Sequence, residues 1–579
     1  MNGNKTTATS SAERRMQRGI SVLAFFVPAF IMLVLFIIRG IYPFGDRSFL
    51  FSDMYHQYMP FLSEFVHKIK AGEGLFYSYN VGIGSNFLAL YVYYLASPFN
   101  WLVFLLPEGL IMEFMSYLVI LRIGLMGLTF SIYLRKVFGK EDPAALLFST
   151  AYALSGYLAA YNWNVMWLDC LILLPLILLG AERLVREGKW VMYTVTLGLC
   201  ILTNYYISIM ICIFLVLYFG MLLITEYYTM TEGQSRKARI VFGRIGRFAF
   251  ASLLAGGLAA ALLIPEVCAI LRTDFGNSDF PSTLESYFSV FDMLARHCMC
   301  VTTERGLEHW PNIYCGVAVF LLVPMYALNE KISVRKRFCN LALAGFLLLS
   351  FGTNVLDFLW HGLNYPDSLP ARQSFLYIFL ILVMCYDAFR NVEGTSPRQI
   401  IYGYLAAVIF LLACEKFVES EDFDTGIEVL TLVFVTIYGV LLYLYRTRKD
   451  ELTRQVLGIL VLACVVAELS INTFNTSLGT TGRSAYLGDQ EDYKALYALA
   501  QEQEGDDFFR IEKFTRKTKN DGTLTGYPTA SVFSSTMNSI VMDLYKMLGM
   551  RHSKVYYGFD GATAFVSALL NVDYMFGES

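Results

Sequence analysis

The strongest constraint on this chain is a ladder of about thirteen apolar segments whose connecting loops alternate in charge. A bilayer core takes roughly 20 apolar residues to cross as helix. Lys and Arg crowd the cytoplasmic ends of such helices. Arg14, Arg15 and Arg18 precede the first apolar run, Ser21 to Ile38, which predicts a cytoplasmic N-terminus. Every second loop is then basic: Arg135-Lys136, Arg183 to Lys189, Arg236 to Arg247, Lys331 to Arg337, Arg390 to Arg398 and Arg446 to Arg454. The intervening loops are neutral, mixed or acidic, and Glu415 to Asp424 is the clearest acidic case. With the N-terminus inside, thirteen crossings leave the stretch from about Ile471 outside. The pattern predicts an α-helical polytopic membrane protein: a cytoplasmic tail (1–20), a transmembrane bundle (21–470) and an extracytoplasmic C-terminal region (471–579).

Composition agrees, with 56% hydrophobic and 16% charged residues over 579 positions, a balance that a soluble protein does not need. The net charge of −3 identifies no partner, because charges sort by side of the membrane. The basic clusters are short and predicted to be cytoplasmic, which argues against nucleic-acid binding. Most of the 11 cysteines fall in apolar segments without metal spacing and read as small buried hydrophobes. Cys298 and Cys300 are too close for an easy disulfide. The first apolar run lacks a small-residue cleavage site and reads as a retained anchor.

Further crossings are expected near 111–134, 143–160, 168–182, 190–206, 208–228, 248–271, 313–329, 338–356, 373–389, 400–414, 427–445 and 456–470. Two long outer loops interrupt them, 41–110 and 272–311. Beyond 471 the chain turns polar, with a helical pattern at Ala495 to Ala500 and a strand pattern at Phe508 to Phe514, the makings of a small α/β region. It ends on the apolar run Asn571 to Phe576, and the expectation is that the outer domain is incomplete.

The first outer loop holds the best candidate for chemistry. In SDMYHQYMPFLSEFVHKIKAGEG, from Ser52, apolar residues recur at helical spacing, so one face can rest on lipid or on the bundle. Ser52 stands where a cap would go, which places Asp53 in the first turn, where the helix dipole favours a carboxylate. Beside Tyr55 and His56, an ionised Asp53 is suited to accept a proton from a hydroxyl. The plainer alternative is that Asp53 only starts the helix. Asn80 to Asn86 is a glycine loop without the strand and basic residues of a nucleotide cradle. The aromatics near Ser97-Pro98 read as an interfacial belt.

Asn162, Asn164 and Asp169, with Trp163 and Trp167, line one outer turn, and Asn204 and Tyr205 the next. Such clusters suit sugar stacking and hydroxyl recognition, and equally suit interfacial anchoring. Arg122 falls mid-crossing, where an unpaired charge costs at least ~2.5 kcal/mol, and needs an acidic side chain or a lipid phosphate. Glu266 ends one crossing with Arg272 just beyond it. Arg372 opens another, with His361 and Asp367 in the loop before it. An Arg at a helix mouth grips phosphate with two donors, or else snorkels to headgroups. Asp46, Glu64 and Asp169 are candidate second carboxylates. His297 and His309 lack a metal-ligand pattern, and neither metal nor cofactor is expected.

Together, SDMYHQYMPF, NVGIGSNF, YYLASPFNWL, AYALSGYLAAYNWNVMWLDCLILLPLILLGAERL, ILTNYY and LPARQSFLYIF resemble the YfhO family of bacterial membrane proteins over about residues 15 to 575. The resemblance implies a GT-C glycosyltransferase architecture, with a juxtamembrane helix in the first outer loop and a catalytic Asp early in it, matched here by Asp53. It also implies a polyprenyl-phosphate sugar as donor and teichoic acid, or a related envelope polymer of a Gram-positive plasma membrane, as acceptor. Family members are usually longer, with more outer domain and a closing helix. From position, Arg372 or Arg272 is expected to meet the donor phosphate. Asp53, Tyr55, His56, Arg122, Asn162, Asn164, Asp169, Asn204, Tyr205, Glu266, Arg272 and Arg372 are thus the candidate site, with transfer by inversion. Two alternatives remain: a flippase for a lipid-linked glycan, and a non-catalytic envelope assembly protein. No repeat of the first half is visible in the second, and the polar residues gather at the outer face, which favours surface chemistry over passage.

Overall fold

The computed structural model describes residues 11–139, 142–233, 235–273, 279–366 and 368–577, without the side chains of 11–18. Asp367 and the side chains of Arg14, Arg15 and Arg18 therefore lie outside the described residues. Each of the thirteen apolar segments carries a helix: α1 (Ser11–Ile38), α2 (Ile111–Phe138), α3 (Ala144–Ala153), α4 (Leu168–Glu187), α5 (Val191–Thr203), α6 (Tyr205–Thr225), α7 (Lys237–Ile270), α8 (Val319–Leu328), α9 (Val334–Phe351), α10 (Ser374–Arg390), α11 (Pro397–Phe417), α12 (Thr425–Thr447) and α13 (Glu451–Thr476).

Among the described residues, eight helices are long and apolar enough to cross a membrane, or up to nine if the bent pair Phe87–Leu95 and Pro98–Leu105 counts as one span. Five expected crossings fall outside that set. Helices α4 and α9 carry charged ends, and α5, α8 and α10 are shorter. One reason is packing: α10 is buried along most of its length and α4 nearly so, so neither has to satisfy lipid on its own. Helix α2 is the hub, packing on α1, α3 and α4, while α5 joins α4 to α7.

Mid-bundle charge is neutralised internally. Arg122 on α2 is fully buried, and its Nε donates to Asp169 Oδ1 on α4 at 2.9 Å. Its Nη2 donates to Ser97 Oγ at 2.9 Å. The expected acidic partner is therefore Asp169. The Ser97 stretch, read above as an interfacial belt, is a buried ligand of that pair.

One end of the bundle carries nearly all the non-helical structure. Arg47–Ser48, just after α1, pairs antiparallel with Thr481–Gly482, just after α13. Beyond α13 lie a helix over Gln490–Glu504 and a strand over Arg510–Lys513 that pairs in parallel with Val572–Phe576. A three-stranded sheet has Tyr556–Tyr557 between Val532–Phe533 and His552–Ser553. In this region Tyr493, Ala500, Phe509, Ile511, Tyr527 and Phe576 form a separate small core. Leu524, Val532, Met542, Tyr545 and Tyr557 join the core of the bundle, so this region is packed onto it.

The glycine loop is the dock. Gly82 and Gly84 take φ of +58° and +112°. A Cβ on Gly82 would meet the Tyr557 hydroxyl, which accepts from Ile83 N at 3.2 Å. Arg510 Nη2 donates to Ile83 O at 2.9 Å, and Thr523 Oγ1 to Asn80 O at 2.6 Å.

Candidate active site

Two π-helical turns, Met54–Tyr58 and Tyr91–Leu95, meet at this end of the bundle. Such turns are rare and recur at functional sites, because the wider ring re-aims side chains. Tyr94 lies 5.7 Å from the Tyr58 ring and 4.9 Å from Phe61, and Tyr93 lies 6.1 Å from Tyr205. The amphipathic helix Met59–Lys70 continues directly from the first turn.

Asp53 stands at the N-terminus of the first π-turn, and here the expected capping fails. Ser52 adopts φ +49°, and Asp53 itself occupies the cap position without a side-chain cap bond. Its Oδ1 accepts only a long bond from Gln57 Nε2, 3.4 Å. Burial therefore outweighs the helix dipole and pushes the carboxyl up to about 6, with the Arg372 charge pulling the other way. The turn is held from its carbonyl side. Tyr486 donates to Tyr55 O at 2.9 Å, and Thr518 and Asn520 donate to His56 O at 3.1 and 2.7 Å.

Arg372 sits in a loop held in a similar way. Leu369 and Ala371 take φ of +59° and +50°, and Tyr161 fixes the loop by donating to Pro370 O at 2.8 Å. Left-handed non-glycine residues cost of order 1–3 kcal/mol each and persist where the surroundings impose them. Both charged residues thus follow one, Ser52 before Asp53 and Ala371 before Arg372. The guanidinium donates to Leu369 O (3.0 Å), Ser368 O (2.9 Å) and the Tyr206 hydroxyl (2.8 Å). It lies 5.4 Å from the Trp167 ring and 5.1 Å from the Tyr206 ring. Among the described residues it makes no ion pair. An Arg carries five N–H donors, so two remain after these bonds. Tyr93 lies within the fields of Arg372, Glu266 and Asp53 together, which makes the three one electrostatic neighbourhood.

Glu266, near the end of α7, is fully buried, and neither oxygen has a hydrogen bond of acceptable geometry, although Tyr205 is close. The amide of Gln373 and the indole N–H of Trp167 are likewise buried and unpartnered. Unpaired buried polar groups each cost about 1–3 kcal/mol, and Trp167 and Gln373 lie beside Arg372.

The other expected site residues divide. Asn164 accepts from Tyr58, on the π-turn, at 2.5 Å. Asn162 is turned away to Ser477. Asn204 is the N-cap of α6, accepting from Ile207 N at 2.9 Å. Arg122 and Asp169 hold each other. Arg272 is exposed, and only its backbone is engaged, accepting from Ser539 N at 2.9 Å. The candidate second carboxylates are also occupied: Asp46 by Ser484, and Glu64 by Ser78 and Asn80. His297 bonds Tyr377, His309 stacks on Tyr287 at 4.0 Å, and His361 lies 3.0 Å from Asp357. Among the described residues no group of three metal-binding side chains exists. Tyr58, Tyr93, Tyr94, Trp167, Tyr206 and Gln373 share the neighbourhood of Asp53 and Arg372 and are not among the expected site residues. The aromatic runs at 91–94 and 205–206 were the available signal.

Three comparisons bear on identity. The arabinofuranosyltransferase AftD from Mycobacteria aligns at 13% identity and a TM-score of 0.48, covering 93% of this chain and 33% of that one. ArnT from Cupriavidus metallidurans, solved with undecaprenyl phosphate, aligns at 13% and 0.38, covering 93% and 89%. Likenesses this loose carry no argument. The "Uncharacterized protein YfhO" of Bacillus subtilis (strain 168) is 21% identical over 498 residues, 81% of this chain and 54% of the relative, so the chain spans about half the length of the curated relative it matches. The family model described as "Bacterial membrane protein YfhO" matches residues 24–579. With nearly the whole chain matched, the protein belongs to the YfhO family of bacterial membrane proteins.

Proposed function

We propose that the protein is a GT-C-type membrane glycosyltransferase. It moves a monosaccharide from a polyprenyl-phosphate donor to an extracytoplasmic envelope polymer such as teichoic acid, with inversion. The orientation is that of the loop charges, with the N-terminus inside, thirteen crossings and the site end facing out from a Gram-positive plasma membrane. The observation that carries the reading is the shared neighbourhood of Asp53, a carboxyl raised to about 6, and Arg372, a cation that makes no ion pair among the described residues.

In this reaction the acceptor hydroxyl attacks the anomeric carbon and its proton passes to the Asp53 carboxylate. The bond from that carbon to the phosphate oxygen breaks with its electron pair, and polyprenyl phosphate leaves. A base near 6 is ionised at neutral pH and still basic enough to help. The two spare N–H groups of Arg372 meet the charge that grows on the phosphate.

The test is transfer from a radiolabelled polyprenyl-phosphate sugar to teichoic acid by the protein in lipid, wild type against Asp53→Asn. Transfer by wild type alone is expected. Equal transfer by both would remove Asp53 from its role. Silence from both, across several donor sugars, would return the protein to a binding or assembly role.

A further inference from the structure

The fold builds a second polar feature that the reaction above does not use. An open cleft runs between the 514–519 segment and the sheet strand at Tyr556, with His56 of the catalytic π-turn in its wall. Its lining carries four cations, Arg516, Lys517, Lys519 and Arg551, against one carboxylate, Asp560. Arg516 is satisfied by Glu512 and Asp560, and Lys517 by Asp489. The remaining two are not. Lys519 reaches Asp560 only at 3.8 Å, and the Arg551 side chain makes no ion pair among the described residues. Asp560 is thus divided among several cations. The crowding is felt at Lys519, whose ammonium is held below its ordinary range, first by burial and then by Arg551 and Arg516, against the pull of Asp560.

Aromatic faces interleave with these charges. The Tyr556 ring lies 4.7 Å from Lys519 Nζ and 5.9 Å from the Arg551 guanidinium, and Phe514 is 72% exposed at the cleft edge. Surplus cations beside flat rings suit a chain in which phosphates alternate with sugar or polyol units: ionic contacts hold the former and ring faces the latter. An uncharged glycan would leave the cations idle, and a flat lipid surface would not fill a cleft. The floor connects to the chemistry, since Thr518 and Asn520, within and beside this segment, hold His56 O of the turn that Asp53 begins.

We propose that this cleft is the acceptor subsite and that it takes a phosphodiester-linked polyol or sugar chain, with phosphates on Lys519 and Arg551 and the intervening units on Tyr556 and Phe514. The assignment rests on the transferase reading for its purpose, but its test reads binding alone. Full-length protein in phosphatidylcholine nanodiscs is titrated against fluorescein-labelled poly(glycerol phosphate), with labelled dextran of matched length as the neutral control. Saturable, salt-weakened binding of the phosphate polymer alone is expected. Lys519→Ala combined with Arg551→Ala should weaken it at least about tenfold. The charge-keeping pair Lys519→Arg and Arg551→Lys should bind near wild type, which separates lost contacts from lost folding. Because this readout is binding alone, absence of transfer by the wild-type protein would strike the catalytic reading and leave the cleft assignment standing. Equal binding of dextran, or unchanged affinity in the alanine pair, would overturn it. So would failure to bind the polymer together with alanine-sensitive binding to phosphatidylglycerol vesicles, which would make the cleft a membrane contact.

Discussion

Two buried glutamates divide the molecule into two kinds of polar structure. Glu468, on α13, accepts from the Tyr314 hydroxyl (2.8 Å), Val317 N (2.6 Å) and the Tyr438 hydroxyl (2.6 Å). Glu266, on α7, is as deeply buried and accepts from none. A carboxylate with three donors fastens helices together, whereas one with no donor is a cost that the fold carries for another reason. The two arginines repeat the contrast. Arg122 is neutralised by Asp169, while Arg372 is braced by carbonyls and a phenol and makes no ion pair among the described residues. Paired charges such as Glu468 and Arg122 fasten helices together, whereas Glu266 and Arg372 lie in the same electrostatic neighbourhood as Asp53.

The sharpest way to break this division is Asp53→Asn, which should lower transfer by roughly 10²- to 10⁴-fold, the usual share of a general base, while the protein still folds. Retained activity would put the base elsewhere. Next in size is Asp169→Ala, which leaves Arg122 buried and unpaired and should cost about 3–5 kcal/mol, read as a fall in melting temperature in detergent. Glu266→Gln is its counterpart and should leave stability within about 0.5 kcal/mol or improve it. A collapse comparable to Asp169→Ala would erase the distinction.

Smaller effects sharpen it. The Asp53 carboxyl has a higher pKa folded than unfolded, so the folded state holds the proton more tightly. Ionisation then erodes stability as pH climbs from about 4 through about 6, and the penalty is complete above that. Asp53→Asn should therefore stabilise the protein at pH 8 by about 1–2 kcal/mol and have little effect at pH 4, allowing for partial exposure. Thermal melts at the two values that show equal shifts would count against it. The acid limb of the transfer rate should fall near pH 6, about tenfold per unit below. Because Arg372 holds that pKa down, Arg372→Gln should move the limb upward, and a downward move would refute the coupling.

Much of the bundle was legible because apolar runs and charged loops are local signals. Arg122 could be read as needing an acidic side chain or a lipid phosphate, but the choice of Asp169 depended on how α2 meets α4. Asp53, Glu266 and Arg372 all stand in the expected site, but the choice between Arg272 and Arg372 stayed open, because it depends on how segments far apart in sequence meet. Ser52 misled for a definite reason: its hydroxyl is a good cap in isolation, but the packing of the π-turn drives its backbone left-handed. The use of the glycine loop was invisible, since its partner Tyr557 lies 474 residues away from Ile83. The basic cleft was missed because its cations are split between residues 516–519 and 551, and neither piece exceeds an ordinary surface patch.

The short pairing of Arg47–Ser48 with Thr481–Gly482 sets a clock on biogenesis. The Arg47 and Thr480 side chains that meet there, at 3.0 Å, are 433 positions apart. At the 5–20 residues per second of synthesis, that separation is roughly 20–90 s. The ribosome thus finishes the segment bearing Asp53 early, and it must wait through every later helix before its carbonyls find Tyr486, Thr518 and Asn520. A nascent chain stalled or clipped before Asn520 would carry the Asp53 turn without the side chains that hold its carbonyls.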